Sequence, residues 1–233
     1  MENIEVLYED NQIIVVNKPQ NIPSQADQTG DKDMLTMVKN YIKEKYNKPG
    51  NVYCGLVHRL DRPTGGVMVF ARTSKAASRL SEQIASGEFE KTYYAVVVGK
   101  LKESHGILVN YLKKDEKENK VSIVPQTEVG AKRAELEYFL LEQRGDKNLV
   151  QVKLKTGRGH QIRVQFANIK CPVYGDQKYG TNMPKANLNL FAVELKFIHP
   201  TTKQKMVFRC YPPQIDCIKE FNIDKYLNLK INN

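Results

Sequence analysis

The absences in this chain narrow the field first. No apolar run approaches the roughly 18 residues of a membrane span, and a start bearing Glu2, Glu5 and Glu9 is not the basic opening of a signal peptide. A cytoplasmic protein with no membrane partner is expected. Four cysteines, Cys54, Cys171, Cys210 and Cys217, are scattered without a C-x-x-C pair, which argues against a zinc ribbon or a disulfide scaffold and reads as reduced thiols. The histidines, His58, His105, His160 and His199, lie far apart with no H-E-x-x-H pattern, so no metal site is expected. G-K-[ST] is absent and Gly157-x-Gly159 has no third glycine, which removes the Walker loop and the dinucleotide fingerprint. With no repeat, low-complexity tract or linker, one domain over residues 1–233 is expected, its core at about 4–213 and a polar C-terminal tail, helical or frayed, at 219–233.

What is present is an ordinary globular composition with a basic surplus. At 233 residues the chain is long enough to bury roughly 70% of its unfolded surface, and 41% hydrophobic against 27% charged residues excludes collagen-like or disordered chains. The net charge of +10 points towards a polyanion. Residues 1–33 carry −5, so the remaining chain carries +15, and the acidic opening is expected to lie away from that partner.

Ile4 to Tyr8 and Ile13 to Asn17 read as a hairpin. Leu35, Val38, Ile42 and Tyr46 recur at helical spacing until Lys48-Pro49-Gly50 stops them. Gly66 to Ala71 is a continuously apolar strand, followed by a helix over Ser74 to Ser86 with Ala77, Leu80 and Ile84 on one face. Lys91 to Gly99, Gly106 to Tyr111, Val121 to Pro125, Ala134 to Glu142 and Leu149 to Thr156 follow as a β meander, with Lys113 to Lys120 as a solvated loop. His160 to Ile169 is helical, and Leu188 to Ile198 with Lys205 to Tyr211 forms a second hairpin. The class is α+β, dominated by antiparallel sheet.

Three segments carry the chemistry. His58-Arg59-Leu60-Asp61-Arg62-Pro63-Thr64-Gly65-Gly66 places an acid between two guanidiniums ahead of a buried strand. In Lys91-Thr92-Tyr93-Tyr94, strand alternation sends the two tyrosines to opposite faces. Thr156-Gly157-Arg158-Gly159-His160-Gln161-Ile162-Arg163 runs a glycine-rich loop into a helix start, whose free N–H groups and positive dipole end suit phosphate. Taken singly, these are an ion pair in a turn, two packing residues and a loop. His58 and His160 read as hydrogen-bonding parts of their turns rather than as acid–base groups.

As a set, H-R-L-D-R-x-T, K-x-Y-x-A-x-V-x-G and G-R-x-H-Q-I-R resemble the three signature motifs of the RluA family of RNA pseudouridine synthases, in order and spacing. Val15-Val16-Asn17-Lys18-Pro19, Pro172-Val173-Tyr174-Gly175-Asp176 and Tyr179-Gly180 are similar to further stretches of that family. The resemblance implies one large, mainly antiparallel sheet flanked by helices, with a central basic cleft and no S4-type extension. It implies isomerisation of uridine to pseudouridine in ribosomal or transfer RNA by a monomer that needs no cofactor. Asp61 would be the catalytic aspartate, Arg163 the arginine that pairs with it, and Tyr93 the tyrosine that stacks on the uracil and is a candidate for removing the C5 proton. Arg59 would fill the gap left by the flipped base, with Arg62, Arg158 and His160 among the RNA contacts. The roles make chemical sense, because a nucleophilic carboxylate must be ionised and a guanidinium favours that form. An aromatic face and a side chain in the vacancy offset the cost of unstacking the base.

Two positions depart from the family pattern: Gly65 stands where serine is usual, and Gln165 where histidine commonly follows Arg163 by two positions. Two other readings compete. A catalytically silent RNA-binding or ribosome-assembly protein would share the fold, but Asp61, Tyr93 and Arg163 are all intact. A nucleoside or glycoside hydrolase needs a second carboxylate, and none accompanies the Asp61 motif.

Overall fold

The computed structural model describes residues 4–214 and 216–227. In chain order these form β1 (Glu5–Glu9), β2 (Ile13–Lys18), α1 (Met34–Lys45), β3 (Gly55–Leu56), β4 (Gly65–Ala71), α2 (Ser74–Ser86), β5 (Glu90–Val98), β6 (His105–Asp115), β7 (Lys120–Val124), β8 (Lys132–Arg144), β9 (Lys147–Leu154), α3 (Gln161–Asn168), β10 (Leu190–Ile198), β11 (Lys205–Arg209) and α4 (Asp224–Leu227). The class is α+β with sheet predominating. Two compact units divide the chain: residues up to Lys91 with Ala192–Cys210, and Thr92–Phe191 with residues from Tyr211 onward. Among the described residues no helix is long and apolar enough to cross a membrane.

In the first unit β1 and β2 form the expected antiparallel hairpin, closed by the Asp10 carboxylate, which accepts from the Gln12 and Ile13 N–H groups at 2.7 and 2.8 Å. β2 pairs antiparallel with β4 from Ile13 opposite Ala71 to Lys18 opposite Gly66. All seven residues of β4 are buried, as a continuous apolar run requires. Gly66 has no substitute here: its φ is +125° and a Cβ would stand 2.2 Å from the Ala192 carbonyl oxygen.

α1 begins where the Asp33 carboxylate accepts from the Thr36 N–H at 3.1 Å, and buries Met34, Met37, Val38 and Ile42. Tyr46, expected on that face, instead caps the helix and is exposed, with the Arg72 guanidinium 4.7 Å from its ring centre. α2 starts at a Thr73 cap and ends at Gly87 in the left-handed conformation. Its Ala76 and Leu80 pack on Ile13, Val15, Val67, Val69, Leu195 and Phe197, and Leu80→Ala would cost about 2–5 kcal/mol.

In the second unit the strand order is β5-β9-β8-β6-β7 rather than a meander. β7 is only five residues long and pairs with the end of β6 at Tyr111–Asp115. β8 takes the stretch His105–Leu112, so β6 is shared between β7 and β8. β5 therefore finds its antiparallel partner in β9, from Thr92 opposite Lys153 to Val98 opposite Lys147. The lysine-rich stretch expected as a loop is instead the hairpin itself: Lys113–Asp115 end β6 and Lys120 starts β7. At its tip the Asp115 carboxylate accepts from the Lys117 and Glu118 N–H groups. Val164 of α3 packs with Leu112, Val121 and Ala134, with Ile123 and Tyr179 alongside.

The C-terminal segment is ordered in short turns as far as Leu227, where the Tyr226 hydroxyl donates to the Leu141 carbonyl at 2.8 Å and Lys147 pairs with Glu220 at 2.6 Å. The rest of the tail, 228–233, lies outside the described residues. All four cysteines are buried free thiols, and burial pushes Cys54, Cys210 and Cys217 up to about 12, which keeps them unreactive at neutral pH.

Candidate active site

The turn that carries Asp61 belongs wholly to the first unit and is pinned from three sides. The Lys18 side chain, 1% exposed, donates from Nζ to the carbonyls of Pro19 (2.9 Å), Arg62 (3.1 Å) and Thr64 (2.7 Å). The Gln20 amide donates to the Pro63 carbonyl at 2.9 Å. The Ser24 hydroxyl donates to the Leu60 carbonyl at 2.7 Å and accepts from the Leu60 N–H at 3.1 Å. Within the turn, the Thr64 N–H donates to the Asp61 carbonyl at 2.9 Å. The carbonyls from Leu60 to Thr64 thus each have a fixed partner, which is how a turn holds a side chain in one geometry. Burial pulls the Lys18 ammonium down to about 7, against the raising effect of the Asp61 carboxylate and with a further lowering from Arg62.

Arg59 and Arg62 are exposed on the same turn. The acidic opening of the chain does not stay away from them. The Arg62 guanidinium pairs with Asp31, donates to the Thr29 hydroxyl at 3.2 Å and lies 4.0 Å from Asp27. Both carboxylates sit below the ordinary range, Asp27 chiefly through a hydrogen bond from Thr29 and Asp31 through one from Arg62. His58 is buried, its Nε2 accepts from the Val69 N–H at 3.1 Å, and its ring meets Phe89 edge-on. Burial, with Lys91 adding to it, holds this imidazole well below its usual value, so it is a neutral part of the turn.

The second unit holds the remaining residues. Tyr93 and Tyr94 are both buried in β5, at 5% and 1% exposure, with Tyr93 opposite Val152 of β9. In the glycine-rich loop the Gln161 side chain folds back to accept from the Arg158 N–H at 3.0 Å and the Thr156 hydroxyl at 2.8 Å, which occupies one of the loop's backbone donors. Arg158 is exposed and donates through Nε to the Arg133 carbonyl at 3.0 Å. His160 sits in the left-handed region at φ 52° and shares a 2.7 Å hydrogen bond between Nδ1 and the Tyr179 hydroxyl. Arg163 is buried in the first turn of α3. It donates through Nε to Asp176 Oδ2 at 2.8 Å and through Nη2 to Oδ1 at 2.7 Å, and lies 5.2 Å above the Tyr179 ring.

Each unit therefore assembles its own share of the motif residues: Arg59, Asp61 and Arg62 on one turn, and Arg158, His160 and Arg163 on one loop and helix start. Gln165 is fully buried and donates to the Asn110 side chain at 2.8 Å and the Leu108 carbonyl at 3.1 Å, so this departure from the family pattern is a packing residue. At Gly65 a Cβ would crowd Gln20 Cγ at 3.1 Å and the Lys18 carbonyl at 3.2 Å. The sequence did not mark Lys18, Gln20, Ser24, Asp176 or Tyr179 as site residues. Three of them carry a signal in hindsight, in Lys18-Pro19 and in the Gly175-Asp176 and Tyr179-Gly180 pairs.

The α+β fold thus carries a motif aspartate on a pinned turn and a motif arginine locked in a helix start, and the class these belong to is that of the RNA-modifying isomerases, as the relatives show. Residues 12–168 match the family model described as RNA pseudouridylate synthase, and the chain belongs to that family, of which the RluA enzymes are part. An uncharacterized RNA pseudouridine synthase of Aquifex aeolicus is 34% identical over 91% of this chain and 70% of its own length. The ribosomal large subunit pseudouridine synthase D of Borreliella burgdorferi is 30% identical over 99% of this chain and 72% of its own. The tRNA pseudouridine synthase C of Vibrio cholerae is 31% identical over 88% and 90%. Among solved structures, human RNA pseudouridylate synthase domain containing 4 shares the fold with a TM-score of 0.75 over 90% of this chain and 89% of its own, at 23% identity.

Proposed function

We propose that the chain converts a specific uridine of ribosomal or transfer RNA to pseudouridine, with Asp61 as the catalytic aspartate. The observation that carries the assignment is the triple anchoring of its turn by Lys18, Gln20 and Ser24, which fixes a partly exposed carboxylate beside two exposed arginines. Both RNA classes stand because relatives of nearly equal similarity are named for each.

In this reading the N1–C1′ bond breaks, the uracil turns, and C5 joins C1′. The proton lost from C5 is balanced by one taken up at N1 and no other group is transferred, so the chain's own side chains suffice. Arg163 pairs with the reacting carboxylate and supplies positive charge beside it. Tyr93 stacks on the extruded base and accepts the C5 proton, for which a phenol of pKa about 10 must be activated. Arg59 occupies the vacancy in the RNA stack, and Arg62, Arg158 and His160 contact the backbone. The chain acts as a monomeric catalytic domain in the cytoplasm. Pseudouridine mapping of total RNA from a strain lacking the gene, set against its parent, tests the substrate: one lost site in ribosomal or transfer RNA is expected. An unchanged map together with inactive purified protein would reject the reading.

A further inference from the structure

We propose that Asp176 is a positioning residue for this reaction, acting through Arg163; the inference rests on the reading that Arg163 serves the chemistry. Asp176 is fully buried and Arg163 is 6% exposed. The carboxylate accepts four hydrogen bonds: the two from the guanidinium, and two on Oδ1 from the Lys178 and Tyr179 N–H groups at 2.9 and 3.1 Å. Burial alone would raise its pKa, but Arg163 and the two backbone donors outweigh that and hold it below the ordinary value, so the group stays a carboxylate.

The turn beneath it is fixed as well. Gly175 has φ +78° and a Cβ there would stand 2.2 Å from the Asn187 carbonyl oxygen, while the Gly180 N–H donates to the Asp176 carbonyl at 3.0 Å. The Tyr179 ring then lies under the guanidinium, and its hydroxyl accepts from the Val121 N–H at 2.8 Å, which ties the turn to β7. Arg163 is thus held on one edge by a two-point carboxylate fork and on one face by an aromatic ring. A buried ion pair is poor value as a stabiliser, since apolar residues fill such a space at no greater cost. What the fork provides is direction: a bidentate pair fixes the plane of the guanidinium and the aim of its remaining donor edge. A misplacement of about 1 Å in a catalytic group is enough to lower a rate about a hundredfold.

Single-turnover rates and RNA dissociation constants of Arg163→Gln, Asp176→Asn, Asp176→Glu and the Arg163→Gln/Asp176→Asn pair test this, with folding checked by circular dichroism. Asp176→Glu keeps the charge and moves the fork. It is expected to bind RNA within about twofold of wild type and to lose at least about tenfold in rate. Asp176→Asn is expected to lose a similar or larger factor, and to lose nothing further when Arg163 is already glutamine. Should Asp176 variants fail to fold, Tyr179→Leu withdraws the ring from Arg163 and is expected to lose at least about tenfold in single-turnover rate at saturating RNA, where any change in affinity through the Tyr179–His160 hydrogen bond drops out. A folded Asp176→Glu or Tyr179→Leu protein with full rate overturns the inference, as does additive loss in the pair. If Arg163→Gln itself keeps full rate, the underlying reading of Arg163 fails instead.

Discussion

The Lys18 ammonium donates to the Thr64 carbonyl at 2.7 Å across 46 residues of sequence, and both groups are buried. A lysine at the end of β2 is therefore the hub of the turn that presents Asp61.

That burial gives the protein a pH-dependent stability. The ammonium titrates at about 7 in the folded chain, against about 10.4 in an unfolded one. Between those values the unfolded chain binds the extra proton, so stability rises with pH across the window. Below pH ~7 the full cost of burying the charge is present. Lys18→Met is expected to remove a slope of up to about 1.4 kcal/mol per pH unit. Urea midpoints for both proteins at pH ~6 and ~9 check it, and a wild-type minus variant difference that stays flat with pH would count against the arrangement.

In the proposed reading, Asp27 and Asp31 compete with RNA phosphate for Arg62. Their depressed pKa values keep them charged through the neutral range, so the pairing persists at assay pH. Asp27→Asn/Asp31→Asn is expected to bind RNA more tightly and to steepen the dependence of binding on salt by about one counterion. The gain should vanish in an Arg62→Ala background, which separates release of this arginine from a general change in charge. Weaker binding by the double variant would mean that the acids orient Arg62 for RNA instead.

Tyr93→Phe keeps the ring and removes the phenol. Loss of a general base costs about 100-fold or more in rate, with RNA affinity close to wild type because the stacking surface remains. Full turnover in the single-turnover assay would leave Tyr93 with stacking alone.

Gln165 is expected to matter for folding and not for RNA. Gln165→Leu leaves the Leu108 carbonyl and the Asn110 side chain without their donor, at a cost of about 1–3 kcal/mol. Chemical denaturation measures that loss, while the RNA dissociation constant of the folded variant should not move. An affinity change of tenfold or more would return this position to the RNA interface.

Much of this was legible from the chain alone. The hairpin at Ile13, the apolar run of β4 and the helix at Ser74–Ser86 follow from local periodicity, and their ends fall within about two residues of expectation. Strand order in the second unit was not legible, because β5 meets β9 across some fifty residues and nothing local distinguishes that partner from β6. The motif aspartate and arginines could be read as a set, but their supports could not. Lys18 beside a proline reads as a strand ending in a breaker, and its burial depends on carbonyls 44 and 46 residues away. The packing role of Gln165 is illegible for the same reason: its partners lie on β6 and β8.

The central claim is that Asp61 performs the chemistry on an RNA-bound uridine. Its most direct test is tritium release from C5-labelled uridine in ribosomal and transfer RNA transcripts, comparing wild type with Asp61→Asn and measuring RNA binding of both by filter retention. The account predicts label release by the wild type on one of these RNAs, none above background by Asp61→Asn, and dissociation constants for the two within about threefold, roughly 0.7 kcal/mol. Release by Asp61→Asn at the wild-type rate would contradict it.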